Sequence, residues 1–217
     1  MTGEKLSKSF KFYPLPKTKI TLSPKEMDMV KNAGLILTKN TILQKAWWLL
    51  EDLQDEITDA VTSGRVPFTP EVLKTPAKIS KGENYHGLPY MILDYPRCFD
   101  KENTFAIRCM FWWGNFFSIT LHLSGSFQKQ FIKQVSLSYD LLKKNGFYLC
   151  IADEQWDHHF ESDNYVEVKQ LKKHEFESKL QRQSFIKIAS KIPLDEWDSA
   201  GRRLSEYFFQ LSAIVAV

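Results

Sequence analysis

The stretch ADEQWDHHFESDN at residues 152–164 gathers the side chains of this chain that most often bind metal ions. Carboxylates and imidazoles together form the ligand set of zinc, manganese and iron. Within a helix, Glu154 and His158 would lie on one face, because residues four apart are neighbours there. The stretch therefore suggests a metal site built from Asp153, Asp157, His158 and His159.

The spacing of these residues matches none of the compact metal-binding motifs. The stretch contains no H-E-x-x-H helix, no EF-hand loop and no cysteine pair. A solvated acidic loop accounts for the same composition. A metal-dependent hydrolase, in which His86 or His122 joins the acidic loop, is accordingly the alternative hypothesis rather than the leading one.

A second candidate site lies in FWWGNFFSITLHLSG, residues 111–125, which reads as the turn of a hairpin and its second strand. A three-residue loop of Trp113, Gly114 and Asn115 would pair Trp112 with Phe116, with Asn115 in the left-handed conformation. In this register one face of the hairpin is wholly apolar. That face carries Phe105, Ile107, Cys109, Phe111, Phe117, Ile119, Leu121 and Leu123.

The opposite face of the same hairpin mixes aromatic and polar side chains, as small-molecule sites do. An arginine there can clamp a carboxylate or phosphate, and a histidine can exchange a proton. The predicted ligand-binding residues are Arg108, Trp112, Phe116, Thr120 and His122. Two other interpretations stay open: Arg108 pairs with Asp94 or Glu102, or the face docks against the N-terminal helices or a second subunit.

Other catalytic motifs are absent from the sequence. It contains no G-x-S-x-G elbow, no Walker loop and no Rossmann glycine fingerprint. The segment GENYHGLPY at residues 82–90 offers Glu83, Tyr85 and His86, but its bracketing glycines are typical of a turn. The sequence alone leaves any cofactor unknown and does not decide whether the protein is an enzyme.

Helical periodicity dominates the first third of the chain. Ser23, Pro24 and Glu26 form a helix start, and we expect that helix to run to about Leu37. A break at residues 38–40 separates it from a second helix, residues 41–64, in an N-terminal helical hairpin or one broken helix. Pro67, Pro70 and Pro76 then mark the boundary of the helical part.

Alternating apolar residues dominate the rest of the chain. They predict strands over 89–95 (stopped by Pro96), 103–112, 116–123 and 147–152, with further strands at 166–171 and 185–192. Helices are predicted over about 127–142 and from Asp195 onward, with a helical or irregular link around 173–182. This order favours an α+β fold with a mostly antiparallel sheet, packing helices and a C-terminal helix.

The domain division follows these patterns. We expect residues 1–22 to form a basic, partly ordered arm, residues 23–66 the helical part, and residues 67–217 an α+β body that makes one compact domain with the helical part. The arm carries five lysines against Glu4 but no motif that reads a groove. It therefore gives little support to a nucleic-acid partner.

Composition points to a globular protein that functions in the cytoplasm. The chain of 217 residues has 43% hydrophobic residues and a net charge of +3. It shows neither a signal peptide nor a long apolar run, and its three cysteines lack the spacing of a redox or zinc motif. We expect a cytoplasmic binding or interaction protein whose partner, a small molecule, a protein or a second copy, the sequence leaves unidentified.

Overall fold

The computed structural model describes residues 20–216, in which seven strands form a single antiparallel sheet. The strands are β1 (Lys78–Tyr85), β2 (Leu88–Phe99), β3 (Thr104–Trp112), β4 (Phe116–Ser124), β5 (Tyr148–Cys150), β6 (Tyr165–Glu167) and β7 (Phe185–Pro193). Their order in the sheet is β1-β2-β3-β4-β7-β5-β6. The helices are α1 (Pro24–Lys31), α2 (Ala33–Thr62), α3 (Gly125–Leu137), α4 (Tyr139–Lys144), α5 (Lys173–Arg182) and α6 (Trp197–Val215). The predicted α+β class is confirmed.

The register of the β3–β4 hairpin is the predicted one, with Trp112 opposite Phe116. The turn differs in one detail. Gly114 has a φ of +72°, whereas Asn115 does not adopt a positive φ. The left-handed position falls on glycine because it has no Cβ to clash with the backbone.

The apolar face of the hairpin forms the main core with α2, α3 and α6. Phe105, Phe111 and Phe117 are each at most 1% exposed on this face. The ring of Phe105 contacts those of Phe127 and Phe131 on α3 edge-on, at centroid distances of 5.4 and 5.7 Å. A face whose side chains are all apolar excludes water on that side, so the helices cover it completely.

The N-terminal helical region is present, but it divides at a different residue from the predicted one. The break falls at Asn32, whose ψ of 82° is not helical, and α2 runs without interruption through residues 38–40. Thr38 and Asn40 are exposed, the Lys39 ammonium donates to the Glu83 carboxylate at 2.6 Å, and the Thr41 hydroxyl donates to the Leu37 carbonyl at 3.0 Å. Ser23 and Glu26 form the predicted capping box at the start of α1.

Strand β2 extends beyond its predicted end. It continues through Pro96 to Phe99, because one extra residue between Asp94 and Arg97 forms a bulge opposite β3. A bulge accommodates a proline, which has no N–H to donate to a neighbouring strand. Strand β1 was not predicted; its glycine and charged residues hide the alternation on a sheet edge.

The remaining elements differ from the predicted ones mainly at their ends. The predicted helix over 127–142 is split at Ser138 into α3 and α4, and the predicted strand over 166–171 is short strand β6 followed by a 3₁₀ turn. The link around 173–182 is helical, and the last helix begins at Trp197 after a 3₁₀ turn. Most of the predicted arm, residues 1–19, lies outside the described residues.

Within residues 20–216, no helix combines the length and the apolar character that a bilayer crossing requires.

Two adjacent leucines of α4 test how much the core contributes to stability. Leu142 is 0% exposed, whereas Leu141 is 40% exposed. We expect Leu142→Ala to lower the free energy of unfolding by about 2–5 kcal/mol, because it leaves a cavity, and Leu141→Ala to lower it by less than about 1 kcal/mol. Urea unfolding followed by circular dichroism measures both. Equal losses from the two variants would contradict this packing.

Candidate functional site

The two sites suggested by the sequence come together in the fold. Arg108, Trp112, Phe116, Thr120 and His122 lie on one face of the sheet, which we call the polar-aromatic face. Residues 151–164, which we call the covering loop, connect β5 to β6 and lie across this face. The guanidinium Nη1 of Arg108 is 3.0 Å from the Nε2 of His158, and the Nε2 of His122 is 3.1 Å from the Oε1 of Gln155. The Asp/His-rich stretch therefore closes over the face that carries Arg108 and His122.

Asn164 holds the two ends of the covering loop together. Its carbonyl accepts a hydrogen bond from the Ile151 N–H at 2.8 Å, and its side-chain amide donates to the His159 carbonyl at 2.6 Å. The Cys150 thiol donates to its Oδ1 at 3.3 Å. Asn164 is 1% exposed, so it fixes the loop from inside, a role that its polar sequence neighbourhood did not indicate.

Arg108 forms a two-pronged ion pair with Asp94 on the neighbouring strand. Its Nε donates to Oδ1 of Asp94 at 2.7 Å and its Nη2 to Oδ2 at 3.0 Å. The side chains are only 16% and 13% exposed, so water screens the pair little. Of the two acids that the sequence suggested for Arg108, the partner is Asp94.

The contact with Arg108 fixes the protonation state of His158. A guanidinium donates hydrogen bonds and accepts none, so the Nε2 of His158 must be the acceptor and its ring must be neutral. Burial, followed by the positive charge of Arg108, holds the pKa of His158 well below its ordinary value. While this contact exists, the Nε2 lone pair is not available to a metal ion.

His122 is also held neutral. It is 4% exposed on β4, and its ring contacts those of Trp156 and Phe185 edge-on at 5.3 and 6.0 Å. Burial, followed by the charge of Lys187, lowers the pKa of His122 to about 3. A neutral ring can donate to Gln155 through Nε2–H and still offer one lone pair.

Lys187 is the buried charge that the sequence analysis missed. It lies opposite His122 on β7 and is 0% exposed. Its ammonium donates to the main-chain carbonyl of Asp157 at 2.5 Å and lies 5.3 Å from the centre of the Tyr165 ring. Within residues 20–216 no carboxylate forms an ion pair with it, and burial lowers its pKa to about 8.

A signal for Lys187 was present in the sequence. In FIKIASKI, residues 185–192, isoleucines 186, 188 and 192 belong to the apolar face, so the alternation places Lys187 on the polar-aromatic face. Whether Lys187 is buried depends on which strands lie beside β7 in the sheet. Because β7 lies between β4 and β5, Lys187 is enclosed on both sides.

Aromatic side chains form one end of the site. The predicted residues Trp112 and Phe116 contact each other edge-on at 5.4 Å, and Phe116 contacts Phe160 of the covering loop at 5.1 Å. Phe160 stacks on Tyr165 at 4.6 Å. Thr120, the remaining predicted residue, is 5% exposed on the same face, so all five predicted ligand-binding residues belong to one covered surface.

The predicted metal ligands are spread along the covering loop. Asp153 is exposed, Asp157 and His159 approach each other to 3.9 Å between Oδ2 and Nε2, and His158 contacts Arg108. The ring of His86 lies 5.7 Å from that of His159. In the described part of the chain, no three His, Cys, Asp or Glu side chains are grouped to hold a metal ion, and the metal site stays a prediction.

The fold and this site together define an α+β protein with a covered, cationic cluster on one face of an antiparallel sheet. No family of known proteins matches the chain, and neither curated proteins nor solved structures include a significant match. The function must be argued from the site itself.

Buried, neutral His122 makes stability depend on pH. In the unfolded chain its pKa returns to near 6.5, whereas in the fold it is about 3. The unfolded state therefore binds more protons between these values, and stability falls as pH falls. We expect the free energy of unfolding of the wild type to fall relative to that of His122→Gln by about 1 kcal/mol per unit between pH 6 and pH 4.

The glutamine variant is the matched control, because its side-chain amide can donate to Gln155 but does not titrate. Urea unfolding at several pH values gives both slopes, and His158 contributes equally to each. Parallel pH profiles for the two proteins would show that His122 is not neutralised by the fold.

Proposed function

We propose that this protein is a cytoplasmic, non-enzymatic binding protein that holds a small anionic molecule, a carboxylate or phosphate, beneath the covering loop. One observation carries the proposal. Three polar side chains of the sheet face, Lys187, Arg108 and His122, each contact an atom of the covering loop: the Asp157 carbonyl, His158 Nε2 and Gln155 Oε1. These are acceptors that the oxygens of an anion can replace.

The cost of burying Lys187 supports a ligand. Moving an ammonium group out of water costs several kcal/mol unless charges or hydrogen bonds compensate. Lys187 has three N–H groups, and in the described residues a single carbonyl accepts from it. A sequence selected for stability alone would have an apolar side chain at position 187 or a carboxylate beside the lysine. Binding of an anion would therefore account for the buried charge.

Arg108 and the two histidines fit the same ligand. Arg108 already uses two of its donors on Asp94, which orients the guanidinium, and directs Nη1 toward the loop. Neutral imidazoles both donate and accept, so His122 and His158 can bind the hydroxyl or ester oxygens of the ligand. The aromatic end, Trp112, Phe116 and Phe160, suits an apolar portion of the molecule.

Entry requires the covering loop to move. Between β5 and β6 this segment has no regular helix or strand, and its contacts with the sheet face are a few hydrogen bonds and ring contacts. Loops of this kind open at a lower free-energy cost than the elements they join. The ligand takes over the contacts that the loop gives up. Among residues 20–216, no serine or cysteine beside the cluster is hydrogen-bonded to a histidine ring that could act as its base, which favours binding over catalysis.

The cytoplasmic location is part of the proposal, and the state of the cysteines supports it. Cys98, Cys109 and Cys150 are all free thiols, and the last two are buried. Reduced cysteines are typical of a reducing compartment.

A thermal-shift titration tests the proposal. Wild-type protein is heated with phosphate, phosphate monoesters and di- or tricarboxylates, and with chloride at matched ionic strength. A ligand that binds the folded state raises the melting temperature, and the rise grows with the logarithm of the ligand concentration once that concentration exceeds the Kd. We expect a rise with at least one of these anions and its loss in Lys187→Met and in Arg108→Met.

Lys129→Met is the matched control, because it removes the same charge from an exposed position on α3, which packs on the other side of the sheet. Without ligand, Lys187→Met should be at least as stable as the wild type, since an apolar chain replaces a buried charge. No rise with any anion, or an equal rise in the control and Lys187→Met, would refute the proposal. A rise with zinc or manganese that Asp157→Asn or His159→Ala removes would favour the metal-dependent hydrolase.

A further inference from the structure

Helix α2 has features that the core does not explain. It comprises 30 residues, and its buried residues all lie from Ala46 onward. Helix α1 has no buried residue. Leu35, Ile36 and Leu37 are 47%, 59% and 64% exposed, and three consecutive residues point to three different sides of a helix. The first part of α2 is thus apolar on several sides that no described residue covers.

The charges of α2 are divided between its two halves. Lys39 and Lys45 lie in the first half, which has no acidic residue. The second half carries Glu51, Asp52, Asp55, Glu56 and Asp59 and has no lysine or arginine. All five of these acidic residues are exposed.

This division opposes the dipole of the helix itself. A helix is stabilised by acids in its first turns and bases in its last turns, but α2 has no acid in its first turn and no base in its last. The charge pattern therefore does not stabilise α2 on its own. It matches a second helix with the same pattern that runs in the opposite direction.

An exposed tryptophan marks the centre of this pattern. Trp48 is near the midpoint of α2 and is 54% exposed. It lines a groove of about 560 Å³ between α2 and α6, together with Lys45, Asp52, Trp197 and Arg202. Lys45, Trp48 and Asp52 share one side of the helix, because they are three, four and seven residues apart.

We propose that a second copy of this chain docks on this surface, with the two α2 helices antiparallel about a two-fold axis that passes near Trp48. Such an axis pairs each residue with its counterpart at an equal distance from the axis on the other helix. Lys45 of each copy then lies opposite Asp52 of the other. Lys45 of one α2 thereby faces the acidic half of its partner, whereas Lys39 pairs with Glu83 of β1 in its own chain.

The apolar part of this interface is centred on Trp48, which is 54% exposed on the side of α2 that carries Lys45 and Asp52. Tryptophan near the centre of a patch is also the residue type that most often dominates binding energy.

Charge reversal tests the antiparallel arrangement directly. In Lys45→Glu, two acidic groups face each other across the axis, and in Asp52→Lys two basic groups do. We expect sedimentation velocity to show a wild-type dimer and at least about tenfold weaker association of each variant. An equimolar mixture of the two variants should form a heterodimer, because position 45 of each chain then faces an opposite charge at position 52 of the other.

The control variants separate this surface from folding and from the anion site. Glu71→Lys reverses a charge outside α2 and should leave the wild-type dimer unchanged. Circular dichroism verifies that each variant is folded, and anion binding plays no part in the readout. A monomeric wild type at high micromolar concentration, unaltered association of both reversed variants, or a mixture that associates no better than its components would each overturn the proposal.

Discussion

The contact between the covering loop and the sheet face is the interaction on which this structure depends. A sheet can bury one face in an apolar core without any specific pairing, because apolar contacts have little directionality. Its second face holds a lysine, an arginine and a histidine, and each needs a hydrogen-bonding partner once water is removed. The covering loop supplies one partner to each of the three, and Asp94 supplies a second to Arg108, so one irregular segment and one ion pair make their burial tolerable.

The two faces of the sheet consequently have different roles. On one face, phenylalanines of β3 and β4 pack against α3 and α6 in the main hydrophobic core. On the other, Arg108 and Asp94 form a rigid pair beside the less fully bonded ammonium of Lys187. The packed apolar face thus provides a rigid scaffold for the energetically unfavourable burial of Lys187 on the polar-aromatic face.

The sequence predicted the parts of this arrangement that depend on neighbouring residues. The alternation in residues 104–124 set the β3–β4 register, because a slip by one residue would have moved every apolar side chain to the wrong face. It also placed Arg108 and His122 together, since they are diagonal neighbours in that register. Helix ends were less well predicted: the break at Asn32 depends on one backbone torsion, which composition does not determine.

The meeting of the covering loop with Arg108 and His122 had no local signal. It arises because β7, almost at the end of the chain, inserts between β4 and β5 and so sets the position of the loop that follows β5. The same insertion encloses Lys187, whose alternation with Ile186 and Ile188 was visible but whose neighbours were not. Strand order depends on the whole chain, so no short segment of the sequence determines it.

The partner of Lys187 in the covering loop is a main-chain carbonyl rather than a side chain. Every amino acid, proline included, carries that oxygen. Substitution at residue 157 therefore leaves the acceptor in place, while the Asp157 side chain, 41% exposed, is not required for the contact. Evolution can change the charge and size at this position, and with them the electrostatic field at the mouth of the site, without removing the acceptor for the buried ammonium.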